Sequence, residues 1–217
     1  MVKRLQLKEV IEVVGGRLVH GSKDIEVKDA IIYHLHSIIQ SHTMIFLDRR
    51  KPFNYEKIKH LEPFVIISDA RNSREKYQEA FAVIEVENIR KAIFAFAEYY
   101  RSLFNIPVIA ITGTDGKTTT KDMIYHLLAK KFDVIKSKNS FNNFIGVPLT
   151  IFDINMSHKF GVVEMGTNAF GEISRLSEIG SPDVAVITNI AETHFQGLKS
   201  VTGVQKAKAE ILDNIND

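Results

Sequence analysis

A chain of 217 residues with 45% hydrophobic and 25% charged side chains has the balance of one or two ordinary globular domains. Its formal net charge of +2 gives no basic surface for nucleic acid, and its longest apolar runs are strand-sized, far short of the ~20 residues that a membrane-inserted span requires. The absence of cysteine excludes disulfides, thiol nucleophiles and cysteine-based zinc sites; the basic N-terminus lacks the apolar core and cleavage site of a secretory signal, so a cytoplasmic location is the default.

Along the first part of the chain the expected elements are short. LKEVIEVV reads as a helix closed by Gly15 and Gly16, and strands are expected at Ile25–Val27, Met44–Leu47, Phe64–Ile67 and Ala82–Val86. Together they predict a small α/β domain over residues 1–86. Asn88 then caps a helix, IRKAIFAFAEYYRSLF, on which Ile89, Ile93, Phe96, Ala97 and Tyr100 share a face, and Pro107 helps to end it. From residue 106 strands and helices alternate: strand 106–111, helix 117–131, strand 133–136, helix 146–153, strand 160–164, helix 171–179, strand 183–188 and helix 201–214. This alternation predicts an α/β domain over residues 87–217, a mostly parallel sheet with helices on both faces and ligands at the carboxyl ends of the strands.

The segment ITGTDGKTTT, Ile111 to Thr120, joins a strand end, a glycine-bearing loop and a helix start. Gly113 and Gly116 allow backbone N–H groups to turn toward a phosphate, with Thr114 and Asp115 between them and Thr119 in the following helical turn. Lys117 supplies a cation for the β- and γ-phosphates of ATP, and the Thr118 hydroxyl a ligand for Mg²⁺. The spacing is G-x-x-G-K-T, tighter than the usual G-x-x-x-x-G-K-[ST].

Three further clusters fall at predicted strand ends. Glu164 closes the apolar strand Phe160 to Val163, where a carboxylate can reach Mg²⁺ directly or through water. Asn189, Glu192 and His194 follow the strand Val184 to Thr188, and His194 reads either as a structural histidine or as a metal or phosphate contact. Asn142 and Asn143 precede a helix start at Gly146 and Pro148, so they read equally as capping residues or as a substrate-facing pair.

With these residues assembled, the chain resembles the Mur ligases. The matching stretches are ITGTDGKTTTKDM, SFNNFIGVPLT, VVEMGTNAFGEI, PDVAVITNIAETHFQG and KAKAEI, in the family's order and spacing from Ile106 to about Leu212. The short G-x-x-G-K-T loop is itself a mark of that family and of its folylpolyglutamate synthetase relatives. The resemblance implies that Lys117 binds phosphate, that Thr118, Glu164 and His194 surround the metal sites, and that Asn142 and Asn143 face substrate. It also implies that Lys208 in KAKAEI is carboxylated by CO₂ to a carbamate that orients a second Mg²⁺. By residue pattern alone Lys208 reads as a solvated charge on an amphipathic helix.

The activity implied is ATP-driven amide bond formation, in which a carboxylate takes the γ-phosphoryl group to an acyl phosphate and an amine then displaces phosphate. The closest branch adds D-alanyl-D-alanine to UDP-N-acetylmuramoyl-tripeptide in peptidoglycan precursor synthesis, so the implied partners are small-molecule substrates, and a monomer is expected. Where the family carries an acidic-Ser-Arg motif and a glycine-rich stretch that grip the UDP-sugar, this chain has Ser37 with no following Arg. Altered recognition of the UDP substrate is therefore expected. The family's C-terminal domain is not in this sequence, which implies a fragment or shortened relative, incomplete for turnover alone. Two other readings stay open: another ATP-dependent acid:amino-acid ligase of the superfamily, and a non-catalytic nucleotide-binding relative.

Overall fold

The computed structural model describes residues 4–32, 43–47, 54, 63–71, 73–191, 198 and 200–216. The chain divides into two compact units, Met1–Tyr99 and Tyr100–Asp217.

In the first unit, β1 (Leu5–Gln6) pairs antiparallel with β3 (Glu26–Val27), and helix α1 (Leu7–Val13) follows β1 directly. The main sheet runs in the order β2-β7-β6-β5-β4, formed by Arg17–Gly21, Ala82–Glu85, Phe64–Ser68, Thr43–Leu47 and Asp29–Ile32. Only β2 with β7 is antiparallel. The inner strands β5 and β6 are buried at every position, as a strand covered on both faces must be, which is why TMIFL and FVIIS read as unbroken apolar runs. One face packs Ile45, Leu47, Phe64 and Ile66 with Ala70, Tyr77 and Val83, and the short helix α2 (Ser73–Lys76) lies between Ala70 and Tyr77 in the chain. Phe46 points to the other side and meets Phe96 of α3 (Ile89–Ser102), with ring centroids 5.6 Å apart. Ile89, Ile93, Phe96 and Ala97 are all buried, as the helical spacing predicts. Strands β2 and β4 are absent from the sequence reading. RLVHG is a half-exposed edge with an irregular register at Leu18 and His20, so no alternation marks it, and DAII is four residues long. Ser37 lies outside the described residues.

The second unit is built on a parallel sheet in the order β11-β8-β10-β9, formed by Val184–Ile187, Val108–Thr112, Phe160–Glu164 and Val134–Lys136. Helix α4 (Lys117–Leu128) covers one face, where Ile124, Tyr125 and Leu128 pack on Ile109, Ile111, Val134 and Val162. The alternate residues Val108, Ala110 and Val163 point the other way and are buried. Helices α5 (Gly146–Phe152) and α6 (Glu172–Gly180) pack against β10 and β8. Helix α7 spans Val201–Ala209 and tightens into a 3₁₀ turn over Glu210–Leu212 instead of running on to residue 214. The Glu210 carboxylate accepts from the Gly171 and Ser174 N–H groups at the start of α6, which fixes where that last turn sits.

Arg101 knits the entry to this unit together. Its side chain is buried and donates to the carbonyls of Gly180, Phe104, Ile106 and Ser181 at 2.7–3.2 Å, with Asp183 3.8 Å away. Ser181 sits at φ 43°, a conformation that a single helix-ending residue holds only with support. Arg101→Ala is expected to cost about 3–5 kcal/mol, because it strands several buried acceptors at once. Lysine should not restore it, lacking the planar fork. Urea unfolding followed by circular dichroism checks this, and a loss below about 1 kcal/mol would mean that water replaces the guanidinium.

Candidate functional site

Because β8, β9, β10 and β11 are parallel, their carboxyl ends gather at one rim. β8 hands the chain to the glycine loop, β10 ends on Glu164, β11 leads to Thr188 and Asn189, and α7 brings Lys208 back from the far end of the sequence. Of the clusters picked out in the sequence, the glycine loop, Glu164, Asn142 with Asn143, and Asn189 come together here. A cleft of about 260 Å³ opens between them, lined among others by Gly113, Lys117, Asn142, Asn143, Glu172 and Lys208.

The loop is held from below by the turn after β11. Asn189 accepts from the Thr114 N–H through its backbone oxygen at 3.1 Å and from the Asp115 N–H through its side-chain oxygen at 2.9 Å. Thr188 donates its hydroxyl proton to the Asp115 carbonyl at 2.6 Å. A Cβ on Gly113, at φ 148°, would overlap that Thr188 hydroxyl, so only glycine fits there. Gly116, at φ 78°, turns the chain into α4. The first intrahelical bond is Thr120 N–H to Gly116 carbonyl, which leaves the N–H groups of Gly116, Lys117, Thr118 and Thr119 without helical partners at the positive end of a twelve-residue helix. This is a geometry suited to an anion.

Two ammonium groups meet above it. Lys117 donates to the carbonyls of Gly113 and Thr114, both at 2.8 Å, and Lys208 donates to the same Gly113 carbonyl at 2.8 Å. Lys208 is 2% exposed, so the solvated-charge reading of KAKAEI is set aside by burial. Desolvation, with a smaller push from the Lys117 charge, lowers the Lys208 pKa to about 8, and Asp115 partly opposes the shift. Close to neutral pH this amine therefore carries a substantial uncharged fraction, unlike an ordinary lysine.

On the other side of the helix start, Thr118 donates its hydroxyl proton to Glu164 Oε2 at 2.8 Å, and the Asn142 amide donates to Oε1 at 2.9 Å. The Glu164 backbone N–H is fixed by the Ser137 hydroxyl at 3.1 Å. The Thr118 oxygen and the Glu164 carboxylate thus form a small set of adjacent hard oxygens, the donor type that Mg²⁺ takes. Asn143 uses its side-chain oxygen to accept from the Ile145 and Gly146 N–H groups at 3.1 and 3.0 Å, opening α5, while both asparagines line the cleft. Glu192 and His194 lie outside the described residues.

Two participants escaped the sequence reading: Thr188, which braces the loop, and Lys121, 3.7 Å from Glu164. Asn189 stood among the strand-end residues, but nothing in the sequence pairs it with the loop more than seventy residues earlier.

Residues 111–217 match the Mur ligase middle domain. That match, the phosphate-type loop and the rim just described place residues 111–217 in the Mur ligase family. Among named relatives it is 43% identical over 139 residues to the UDP-N-acetylmuramoyl-tripeptide–D-alanyl-D-alanine ligase of Bacillus subtilis (strain 168), covering 64% of this chain and 30% of that protein. In fold it is similar to MurF from Acinetobacter baumannii, with a TM-score of 0.83 and 25% identity over 99% of this chain and 47% of the other. It also shares its fold with the MurF ligase of Thermotoga maritima in complex with ADP, with a TM-score of 0.69 and 24% identity over 87% of this chain and 44% of that one. The chain spans less than half the length of these relatives.

Proposed function

We propose that this chain is the N-terminal and partial central part of an ATP-dependent ligase that adds D-alanyl-D-alanine to UDP-N-acetylmuramoyl-tripeptide. The observation that carries the reading is the convergence of the anion-suited helix start, Lys117 and Lys208 on one side of Thr118, with Glu164 on the other. The similarity to ligases of that name supports the substrates. In this reading residues 1–86 form the substrate domain and 87–217 part of the ATP-binding domain, acting as a monomer in the cytoplasm.

ATP supplies the phosphoryl group that turns the donor carboxylate into an acyl phosphate, and Mg²⁺ offsets the charge of the two anions that must meet. The chain's own residues do the positioning. The loop from Gly113 to Thr119 would cradle the phosphates, Lys117 would turn from the Gly113 and Thr114 carbonyls toward them, and Thr118 and Glu164 would hold the metal, with His194 as a further ligand. Two oxygen ligands suit an ion that keeps its remaining positions for water and phosphate. Asn142 and Asn143 would face the substrate, and the uncharged fraction of Lys208 is the form that can take up CO₂. No side-chain nucleophile is required.

The test is phosphate release from ATP by the full-length gene product across a panel of carboxylates. Turnover is expected with the UDP-tripeptide plus D-alanyl-D-alanine, with a higher KM for the UDP substrate than in a relative carrying the usual first-domain motif, since unmatched polar groups cost about 1–3 kcal/mol each. The missing Arg after Ser37 favours one competitor, a ligase for a different acid. Activity on a UDP-free acid and none on the UDP-tripeptide would select it, and silence on every acid despite nucleotide binding would select a non-catalytic relative.

A further inference from the structure

One buried charge beneath the loop has no part in that scheme. Lys121 lies on α4 four residues after Lys117, and its side chain is 1% exposed. Its ammonium donates to the Asn139 carbonyl at 2.6 Å and stands 3.7 Å from Glu164 Oε2 and 3.8 Å from Asp122 Oδ1. Asp122 is 40% exposed and already bonded to Lys136 at 2.8 Å. Glu164 is as buried as Lys121, so the two form the desolvated pair. Asn139, at φ 49°, is one of two non-glycine residues in the left-handed region among the described residues, and Lys121 holds its carbonyl. The same ammonium therefore ties together Glu164 and the loop that presents Asn142 to it.

From this we infer that Lys121 is a positioning residue that neutralises Glu164, so that a divalent cation binds beside Thr118 and Glu164 only together with the phosphates of a nucleotide. The inference rests on the nucleotide-binding reading above and adds to it the order of assembly. A bare cation approaching the rim gains little from a carboxylate whose charge is already matched at 3.7 Å, and it meets the ammonium group of Lys117 on the Gly113 carbonyl. Among the described residues no group of three acidic or histidine side chains could hold the ion unaided. Triphosphate would bring the missing negative charge, and the Thr118 and Glu164 oxygens beside Lys121 are the protein groups that would then hold the metal. An ammonium fixed beside Glu164 thus does what a second carboxylate would undo: it prevents the site from filling with metal before nucleotide.

Mn²⁺ is the probe, because its free aqueous form is read directly by electron paramagnetic resonance. In the full-length protein, Mn²⁺ is expected to bind with a nonhydrolysable ATP analogue and to remain free without it. Lys121→Met removes the charge and keeps most of the volume; it should gain nucleotide-independent Mn²⁺ binding at least about tenfold tighter than wild type. Adding Glu164→Gln to that variant should abolish the gain. Wild type that takes up Mn²⁺ equally well without nucleotide overturns the inference even if Lys121→Met fails to fold. So does a folded Lys121→Met that holds free Mn²⁺ no better than wild type. Binding of the analogue itself, followed by calorimetry in the same samples, separates these results from failure of the nucleotide reading, which would show as no analogue binding in wild type.

Discussion

Lys117→Ala is expected to weaken binding of a nonhydrolysable ATP analogue by about 10- to 100-fold, the worth of a hydrogen bond to a charged group. Turnover of the full-length protein should fall further, by about 10²–10³-fold or more, since the charge that Lys117 offsets is greatest as the phosphoryl group transfers. The reason lies in the loop. The N–H groups from Gly116 to Thr119 and the helix dipole attract phosphate, but Lys117 is the mobile full charge at that point, with two carbonyls 2.8 Å away to release. Calorimetry and phosphate release, run side by side on wild type and variant, check both halves. Equal affinity and equal turnover would remove Lys117 from the nucleotide site. Lys117→Arg should recover part of the affinity but little of the turnover, because the longer fork cannot stand where the ammonium stands.

The second large effect concerns Lys208 and carries a pH signature. Carbamate formation joins an uncharged amine to CO₂ and releases one proton, so it needs the deprotonated lysine. Burial and Lys117 lower the Lys208 pKa to about 8, so the uncharged fraction rises from roughly a tenth at pH 7 to a half at pH 8 and levels off above pH 9. Protein stripped of CO₂ should therefore regain activity on bicarbonate addition with an efficiency that climbs through pH 8. An unshifted lysine would place that climb above pH 10. Lys208→Ala should be inactive and partly rescued by a small carboxylate such as acetate, which returns an oxygen ligand to the rim. Full activity of Lys208→Ala in CO₂-depleted buffer would take the residue out of the site.

The loop Gly113 to Thr119 was legible because its parts are contiguous: a β-branched strand, two glycines and a helix start within ten residues suffice to define an anion-suited turn. Its neighbours were legible for the same local reason, each lying at the end of its own apolar strand. Edges and ends were harder. Strand β2 carries no alternation because both its faces are half exposed, and the end of α7 depends on Glu210 reaching α6, a contact between residues 39 apart.

By itself, then, the sequence determined the alternating strands and helices of the second half, the glycine loop and the residue types that could meet phosphate and metal, since these follow from periodicity and short-range backbone freedom. Tertiary structure alone decided which charges face one another. Lys208 reads as a surface residue until α7 folds it 95 residues back onto Gly113, where desolvation changes its chemistry. Lys121 reads as one more helix charge until β10 sets Glu164 beside it, and Asn189 as a loop residue until β11 lays it under Asp115. Such pairings depend on distances across the sheet and on the exclusion of water between its layers, and neither quantity is written in the spacing of residues along the chain.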